Sequence, residues 1–538
     1  MCSFRLGNPT GTVPTPAGTV GDPNGIVLTP DGSESFASQE RGIGEPAVGG
    51  TVNRVSRMPR RIVCAAGLLA GATMTLAGAE ARQSPGAIIL PSDADIRKVL
   101  AERVDALAGQ EDGVGIVVGV AGPQGRRVVS YGHLRQGDPR ALDGDTGFEI
   151  GSVTKVFTAL LLADMVQKGE VALGDPVAKY VPAVRIPERN GRSITLLDLA
   201  THTSGLPFMP DALPALDDSA STKFGAAQIR QFLARYELPR DSGAEWDYSN
   251  IGYWLLGKAL TSRAAMDYET LLRTRVITPL KLTSTAITPS ARMKAKLAVG
   301  HNAALQPSPS LSTVPIYAEM SAAGGLVSTA NDLLTLLTAT MGYERSPLAP
   351  AMAAMLSTRR PMPRHGEAQA LGWVVTGEGD DPLIVHDGGT WGYVSSVVWD
   401  PKQRVGVVVL SNQVASVGDI ARHLLRPNVP LEKPTATKRT ETTLDSAVLD
   451  AYAGRYEAPG EGAFILVRER DFLTIQLPAD WGLPKLRLRP ESLRDFFVAE
   501  LPLRVTFQSD SDGRVNGLLV HPPRGQKAIL ANRTSSDR

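Results

Sequence analysis

The segment Phe148-Glu149-Ile150-Gly151-Ser152-Val153-Thr154-Lys155 ends a strand-like run and opens a strongly apolar helix. That helix carries Val156, Phe157, Leu160, Leu161 and Met165, and Gly169 closes it. Ser152 and Lys155 are three positions apart, so both face the same side. Ser152 falls in the first turn, where free backbone N–H groups and the helix dipole favour an anionic oxygen. A serine hydroxyl is a weak nucleophile and needs a base beside it. A lysine held in an apolar helix is discouraged from carrying its charge and can serve as that base. The spacing alone is weak, because a chain of 538 residues shows about two S-x-x-K matches by chance.

Two distant segments supply what the first lacks. Asp247-Tyr248-Ser249-Asn250 reads as a turn just ahead of an apolar helix with Ile251, Trp254 and Leu255. A tyrosine there can present its hydroxyl to a cleft, with Asn250 as an amide donor. His386-Asp387-Gly388-Gly389-Thr390 ends a strand, and its glycines allow close backbone approach by a ligand. Taken singly, each also reads as a structural turn.

Working outward, Ser92-Asp93-Ala94-Asp95 looks like a capped helix start, with Ile96, Val99, Leu100, Val104 and Leu107 on one face. Val114 to Ala121 is an apolar β run, and Gly122-Pro123-Gln124-Gly125 turns it into Arg127 to Tyr131. A helical region with Pro- and Gly-rich loops spans about Thr146 to Leu356. Strands then resume at Leu383–His386, Tyr393–Asp400 and Val405–Ser411. A sheet built from both ends of the segment, with helices inserted between, predicts an α+β fold of the α/β/α sandwich kind over 93–426. Residues 427–445 read as a linker. Over 446–534, short alternating runs at Phe464–Val467, Phe472–Gln476, Leu486–Leu488, Phe496–Val498, Val505–Phe507, Val515–Val520 and Ala528–Leu530 predict a small antiparallel β-barrel.

The 43% apolar and 21% charged content fits a globular protein, and a net charge of +1 leaves no electrostatic footprint for nucleic acid or an anionic membrane. No phosphate-cradling glycine motif opens a helix after a strand, so no nucleotide cofactor is expected. His133, His301, His365, His423 and His521 lack metal-site spacing, so no metal is expected either. From Met58, paired Arg60 and Arg61 precede an apolar run from Ile62 to Ala77 and an A-x-A site at Ala79-Glu80-Ala81. That pattern reads as a signal peptide over 58–81, with a periplasmic or secreted product and no membrane span after its removal. Residues 1–57, roughly half Gly, Pro, Ser and Thr, cannot bury a core and read as a disordered leader or a mis-called start. Cys2 and Cys64 both fall in these stretches, so the mature part holds no thiol nucleophile and no disulfide.

In order and spacing, Ser152–Lys155, Tyr248–Asn250 and His386–Gly388 resemble the S-x-x-K, Y-x-N and K/H-x-G signatures of one family. It is the serine β-lactamase-related group, comprising class C β-lactamases, D-alanyl-D-alanine carboxypeptidases and related esterases. Thr201-His202-Thr203-Ser204-Gly205-Leu206-Pro207 and Ala323-Gly324-Gly325-Leu326-Val327-Ser328-Thr329 are similar to that group as well, and the barrel resembles the lipocalin-like appendage of some members. The resemblance implies Ser152 as acylated nucleophile, Lys155 and Tyr248 as sharers of its proton, and Asn250 as a hydrogen-bonding partner of the substrate. It also implies His386, Gly388 and Gly389 as a substrate-binding strand, with the backbone N–H groups of Ser152 and Gly389 as an oxyanion hole. Substrates would be small molecules or peptidoglycan fragments carrying an ester, D-amino-acid amide or β-lactam bond.

One position departs from the β-lactamase pattern. His386 stands where a lysine fixes the substrate carboxylate, and a histidine of ordinary pKa is mostly neutral at neutral pH. Efficient β-lactam hydrolysis is therefore not expected, unless Asp387 pairs with His386 and keeps it charged. His202 is expected to hold a loop by hydrogen bonding, and Glu245 and Asp247 to shape the turn around Tyr248. Trp391 and Tyr393 either line the acyl pocket or pack in the core. A catalytically silent penicillin-binding or sensor protein of the same fold is the competing reading, and a barrel that binds a ligand of its own is a third. The oligomeric state is not legible.

Overall fold

A computed structural model describes residues 90–534, apart from 109–112, 211–224, 311–317, 378–380, 434–438, 479–480, 482–484, 500, 502 and 523–526. The expected leader and signal peptide lie outside the described residues. An eight-stranded antiparallel sheet organises the first part. Five of its strands come from both ends of the segment, β1 (Gly115–Gly122) and β2 (Gly125–Gly132) from the start, β8 (Leu383–Gly389), β9 (Val394–Asp400) and β10 (Val405–Ser411) from the finish, and they lie in the order β2-β1-β10-β9-β8.

The unbroken valine runs in β1 and β10 follow from burial on both faces. Ile116, Val118 and Val120 with Val405, Val407 and Val409 join Ile96, Leu100, Val104, Ile420 and Leu424 in one apolar layer. Their strand neighbours Val117, Ala121, Val408 and Leu410 join the opposite layer. Helix α1 (Asp93–Ala108) covers the first face. Ser92 Oγ caps its start by accepting the Asp95 N–H at 3.2 Å. On the second face lie α2 (Thr154–Gln167), α3 (Asn250–Ala264) and α4 (Ala330–Thr340), and α5 (Gly418–Leu425) sits beside α1. Arg103 of α1 and Asp419 of α5 form a buried ion pair. Arg103 also donates to Ser416 O and Glu432 O, so backbone carbonyls share in satisfying the buried guanidinium.

Three strands of this sheet went unread in the sequence. β5 (Arg360–Pro361), β6 (Ala368–Gln369) and β7 (Val374–Thr376) extend the sheet past β8, but two or three residues carry no periodicity. A small second sheet pairs β3 (Gly147–Glu149) with β4 (Val327–Thr329), Glu149 opposite Val327. It matters for the site, because it draws the Ala323–Leu326 stretch onto the Ser152 turn.

Beyond residue 445, β11 (Gly454–Ala458), β12 (Gly462–Glu469), β13 (Phe472–Gln476), β14 (Leu486–Pro490), β15 (Asp495–Phe497), β16 (Arg504–Ser509), β17 (Val515–His521) and β18 (Ile529–Arg533) close an up-and-down barrel. The sequence reading found seven of these and missed β11, whose Tyr456 pairs with Arg533 to complete the ring. Tyr456, Phe464, Leu473, Ile475, Leu488, Val505, Leu518, Val520 and Ala531 fill the interior with wholly buried side chains. Eight strands leave an interior just wide enough to be filled this way. The barrel belongs to the same compact unit as the sheet. Ala303 N–H donates to Ala499 O at 2.9 Å, and Trp391 packs against the barrel core. Residues 427–445 hold no helix or strand among those described, yet they are pinned: Glu432 N–H donates to Asp419, and Thr442 N–H to Pro490 O. Among the described residues no helix is long and apolar enough to cross a membrane.

Candidate active site

Ser152 sits in a single 3-10 turn, Gly151–Val153, two positions ahead of the first residue of α2 rather than inside the helix. The turn is strapped on two sides. Ile150 N–H donates to Leu326 O at 3.0 Å and Leu326 N–H to Thr154 Oγ1 at 3.1 Å, while Ser395 Oγ donates to Ile150 O at 2.8 Å. β8 lies directly on the turn. A methyl group at Gly388 would come within 2.1 Å of Ile150 O, and one at Gly151 (φ 47°) within 2.6 Å of Gly389 O. Gly388 thus makes room for this chain's own backbone, while Gly389 is exposed with nothing within 4 Å of its would-be methyl and borders open space.

The structure brings the three sequence segments together. Lys155 Nζ is 3.0 Å from Ser152 Oγ, and Tyr248 Oη donates to Ser152 Oγ at 2.8 Å. Lys155 also donates to Asn250 Oδ1 at 2.8 Å and to Ala323 O at 2.7 Å. The amine is wholly buried, and burial alone drives its pKa well below the ordinary lysine value. Asn250 Oδ1 and Ala323 O are acceptors only and each takes an N–H of the amine, so in the neutral form that burial favours the lone pair is left for Ser152 Oγ. Burial pushes the Tyr248 phenol upward, so it stays protonated and acts as donor. A proton can therefore run from tyrosine to serine to lysine.

Asn250 uses its carbonyl to hold Lys155, while its Nδ2 reaches Met209 Sδ at 3.8 Å. His386 is 5% exposed, and its Nδ1 lies 2.6 Å from Gly372 O, a carbonyl that obliges Nδ1 to carry the proton. Burial, and then the proximity of Lys155, lower its pKa to about 4, so it is neutral at neutral pH. The suggested His386–Asp387 pairing is not made. Successive residues of a strand point to opposite faces, and Asp387 instead receives Arg422 at 2.8 Å and Ser396 Oγ at 2.5 Å on the α5 side.

Asp247 accepts from Arg240 at 2.6 Å, which fits its expected part in shaping the turn. Tyr393 is buried, edge-on to Phe148, and donates to Ala298 O at 2.6 Å, so it packs in the core. Sequence reasoning missed Ala323, whose contribution is a backbone carbonyl without a side-chain signature. Only the Ala323-Gly324-Gly325 phrase marked the place. Among the described residues no cluster of His, Cys, Asp or Glu could hold a metal ion.

An antiparallel α/β/α sandwich with serine, amine and phenol in contact defines a serine hydrolase of the S-x-x-K kind. The profile described as Beta-lactamase matches residues 98–426, and the chain belongs to that family. It is 30% identical over 295 residues to the D-alanyl-D-alanine-carboxypeptidase/endopeptidase AmpH of Escherichia coli K12, covering 52% of this chain and 74% of that protein. Among solved structures, a class C β-lactamase from Rhodobacter sphaeroides superposes with a TM-score of 0.52 at 24% identity, over 63% of this chain and 97% of that one. An octameric penicillin-binding protein homologue from Pyrococcus abyssi gives 0.54 at 20% identity, over 82% of this chain and 100% of that one.

Proposed function

We propose that this chain is an exported hydrolase that forms an acyl-enzyme on Ser152 and cleaves D-amino-acid amides, peptidoglycan-derived fragments or esters in preference to β-lactams. The observation that carries the reading is the contact of Ser152 Oγ with both Lys155 Nζ and Tyr248 Oη around a wholly buried amine, whose pKa burial drives well down. Ser152 Oγ bonds to the substrate carbonyl carbon, and its proton passes to Lys155. The carbonyl oxygen takes up the negative charge and is met by the N–H groups of Ser152 and Gly389. Tyr248 gives its proton to the departing nitrogen or oxygen as the bond to carbon breaks, and Lys155 returns a proton to Tyr248. Water then adds to the acyl carbon, loses its proton to the same network, and Ser152 leaves protonated.

The neutral, buried His386 supports the substrate preference, because no permanent cation stands at the strand to hold a β-lactam carboxylate. Likeness to a carboxypeptidase/endopeptidase supports the amide side of it. A silent binding protein has no use for a lysine whose charge burial disfavours, so the network supports turnover. Domain limits of 93–426 for the hydrolase, 427–445 for the linker and 446–534 for a lipocalin-like appendage, with export by residues 58–81, belong to the same proposal. The filled barrel interior disfavours a ligand bound within it.

A panel of D-alanyl peptides, p-nitrophenyl esters and cephalosporins, run with the native chain and Ser152→Ala, tests the reading. Esters or D-peptides turn over faster than cephalosporins, and Ser152→Ala loses at least about 10³-fold. Cephalosporins ahead of short-chain esters would sink the substrate preference, and an active Ser152→Ala would sink the mechanism.

A further inference from the structure

His202 takes no part in the proton path, yet it is wholly buried beside it. Its backbone is left-handed (φ 57°), a conformation that non-glycine residues adopt rarely. The conformation gives His202 two holds on the next turn of chain. Its carbonyl accepts the N–H of Asp247 at 2.7 Å, and its Nδ1 accepts the N–H of Ser249 at 3.1 Å. Those two donors flank Tyr248. Between them the imidazole lies against the phenol, ring centroids 4.2 Å apart and planes 28° from parallel. The stitching continues on both sides: Gly243 N–H to Thr203 O at 2.7 Å, Ser249 Oγ to Pro207 O at 2.8 Å and Asn250 N–H to Phe208 O at 3.0 Å.

The ring's protonation follows from the same contacts. Nδ1 accepts a backbone N–H, so the proton sits on Nε2, which has no hydrogen-bond partner. A second proton would set N–H against N–H and place a cation near Lys155 and His386. Burial, Lys155 and His386 all hold the His202 pKa well down. The clamp is therefore a neutral ring, and it leaves the Tyr248 hydroxyl free to point at Ser152.

We infer that His202 is the positioning residue of Tyr248, bracketing its backbone and supporting its ring so that the phenol meets Ser152 Oγ and delivers a proton to the leaving group. This rests on the reading of Tyr248 as proton donor. A merely structural histidine would affect all substrates alike. A positioning residue affects those substrates whose leaving group needs a proton.

Two esters with one acyl group separate these cases: a p-nitrophenyl ester, whose leaving group departs as a stable anion, and an alkyl ester, whose leaving group does not. With the full chain, His202→Ala lowers kcat/KM, which reports the acylation step in which the two esters differ, by about 10²-fold on the alkyl ester and by less than about 10-fold on the p-nitrophenyl ester. Combining His202→Ala with Tyr248→Phe does no more harm than Tyr248→Phe alone. His202→Asn restores much of the alkyl-ester rate, because asparagine tolerates the left-handed backbone and its Oδ1 can take the place of Nδ1. Should His202→Ala not fold, the ratio of ester losses in His202→Asn carries the test: a loss confined to the alkyl ester supports the clamp. Equal losses on both esters, or multiplied losses in the double variant, overturn it while Tyr248→Phe still discriminates. If Tyr248→Phe does not discriminate, the Tyr248 reading itself falls and takes this inference with it.

Discussion

Two regions of this chain are built on opposite principles. The barrel interior buries hydrocarbon, with Phe464, Leu473, Ile475, Leu488 and Val520 closed from water. The ground beneath Ser152 buries an amine and an imidazole, Lys155 and His202, against the half-buried phenol of Tyr248, and it meets the amine with carbonyls instead of a counter-charge. Burying ionisable groups without pairing them works against folding, and they shift pKa to escape the penalty. The difference teaches where stability has been given up for reactivity. Around Ser152 the desolvation that weakens the fold is what makes a base of a lysine, whereas in the barrel burial serves only cohesion.

Lys155→Met is the sharpest way to break that comparison, since it puts barrel-like chemistry into the site. Activity falls by about 10²–10⁴-fold as the base is lost. The native chain binds fewer protons than its unfolded form between the lowered Lys155 pKa and the unfolded value of ~10.4, so its stability rises with pH across that window. The methionine variant loses this rise, and denaturant unfolding across pH measures it. Phe464→Ala probes the other region. It destabilises by about 3–5 kcal/mol through a core cavity, with kcat per folded molecule unchanged. The smallest effect belongs to His386, whose pKa lies at about 4 against about 6.5 when unfolded. Below the unfolded value the unfolded chain takes a proton that the native one refuses. Stability therefore falls as pH drops from about 6.5 to about 4, by about 3 kcal/mol, and levels off beneath. His202 acts in the same direction, so an acid limb that persists in His386→Asn measures its share.

Much of this organisation was legible in residues. The Phe148–Lys155 stretch placed the serine and lysine together, the valine runs at both ends of the segment located the central strands, and alternation found seven barrel strands. β11 escaped because Gly454-Arg455-Tyr456-Glu457-Ala458 offers only Tyr456 and Ala458 as inward residues, too few to show a period. The direction of Asp387 was within reach, since a buried His386 in a strand turns its neighbour to the far face. The Ala323 carbonyl and the two holds of His202 on the Tyr248 turn were not. Backbone acceptors look the same in every residue, and only the folded path brings position 202 beside position 248.

Peptide mapping by mass spectrometry after a short incubation with a slow-leaving acyl substrate tests the centre of the account most directly. An acyl group on the peptide containing Ser152, formed in the native chain and nearly absent in Lys155→Met, is the predicted result. An acyl group on any other residue, or equal labelling without the amine, would contradict it.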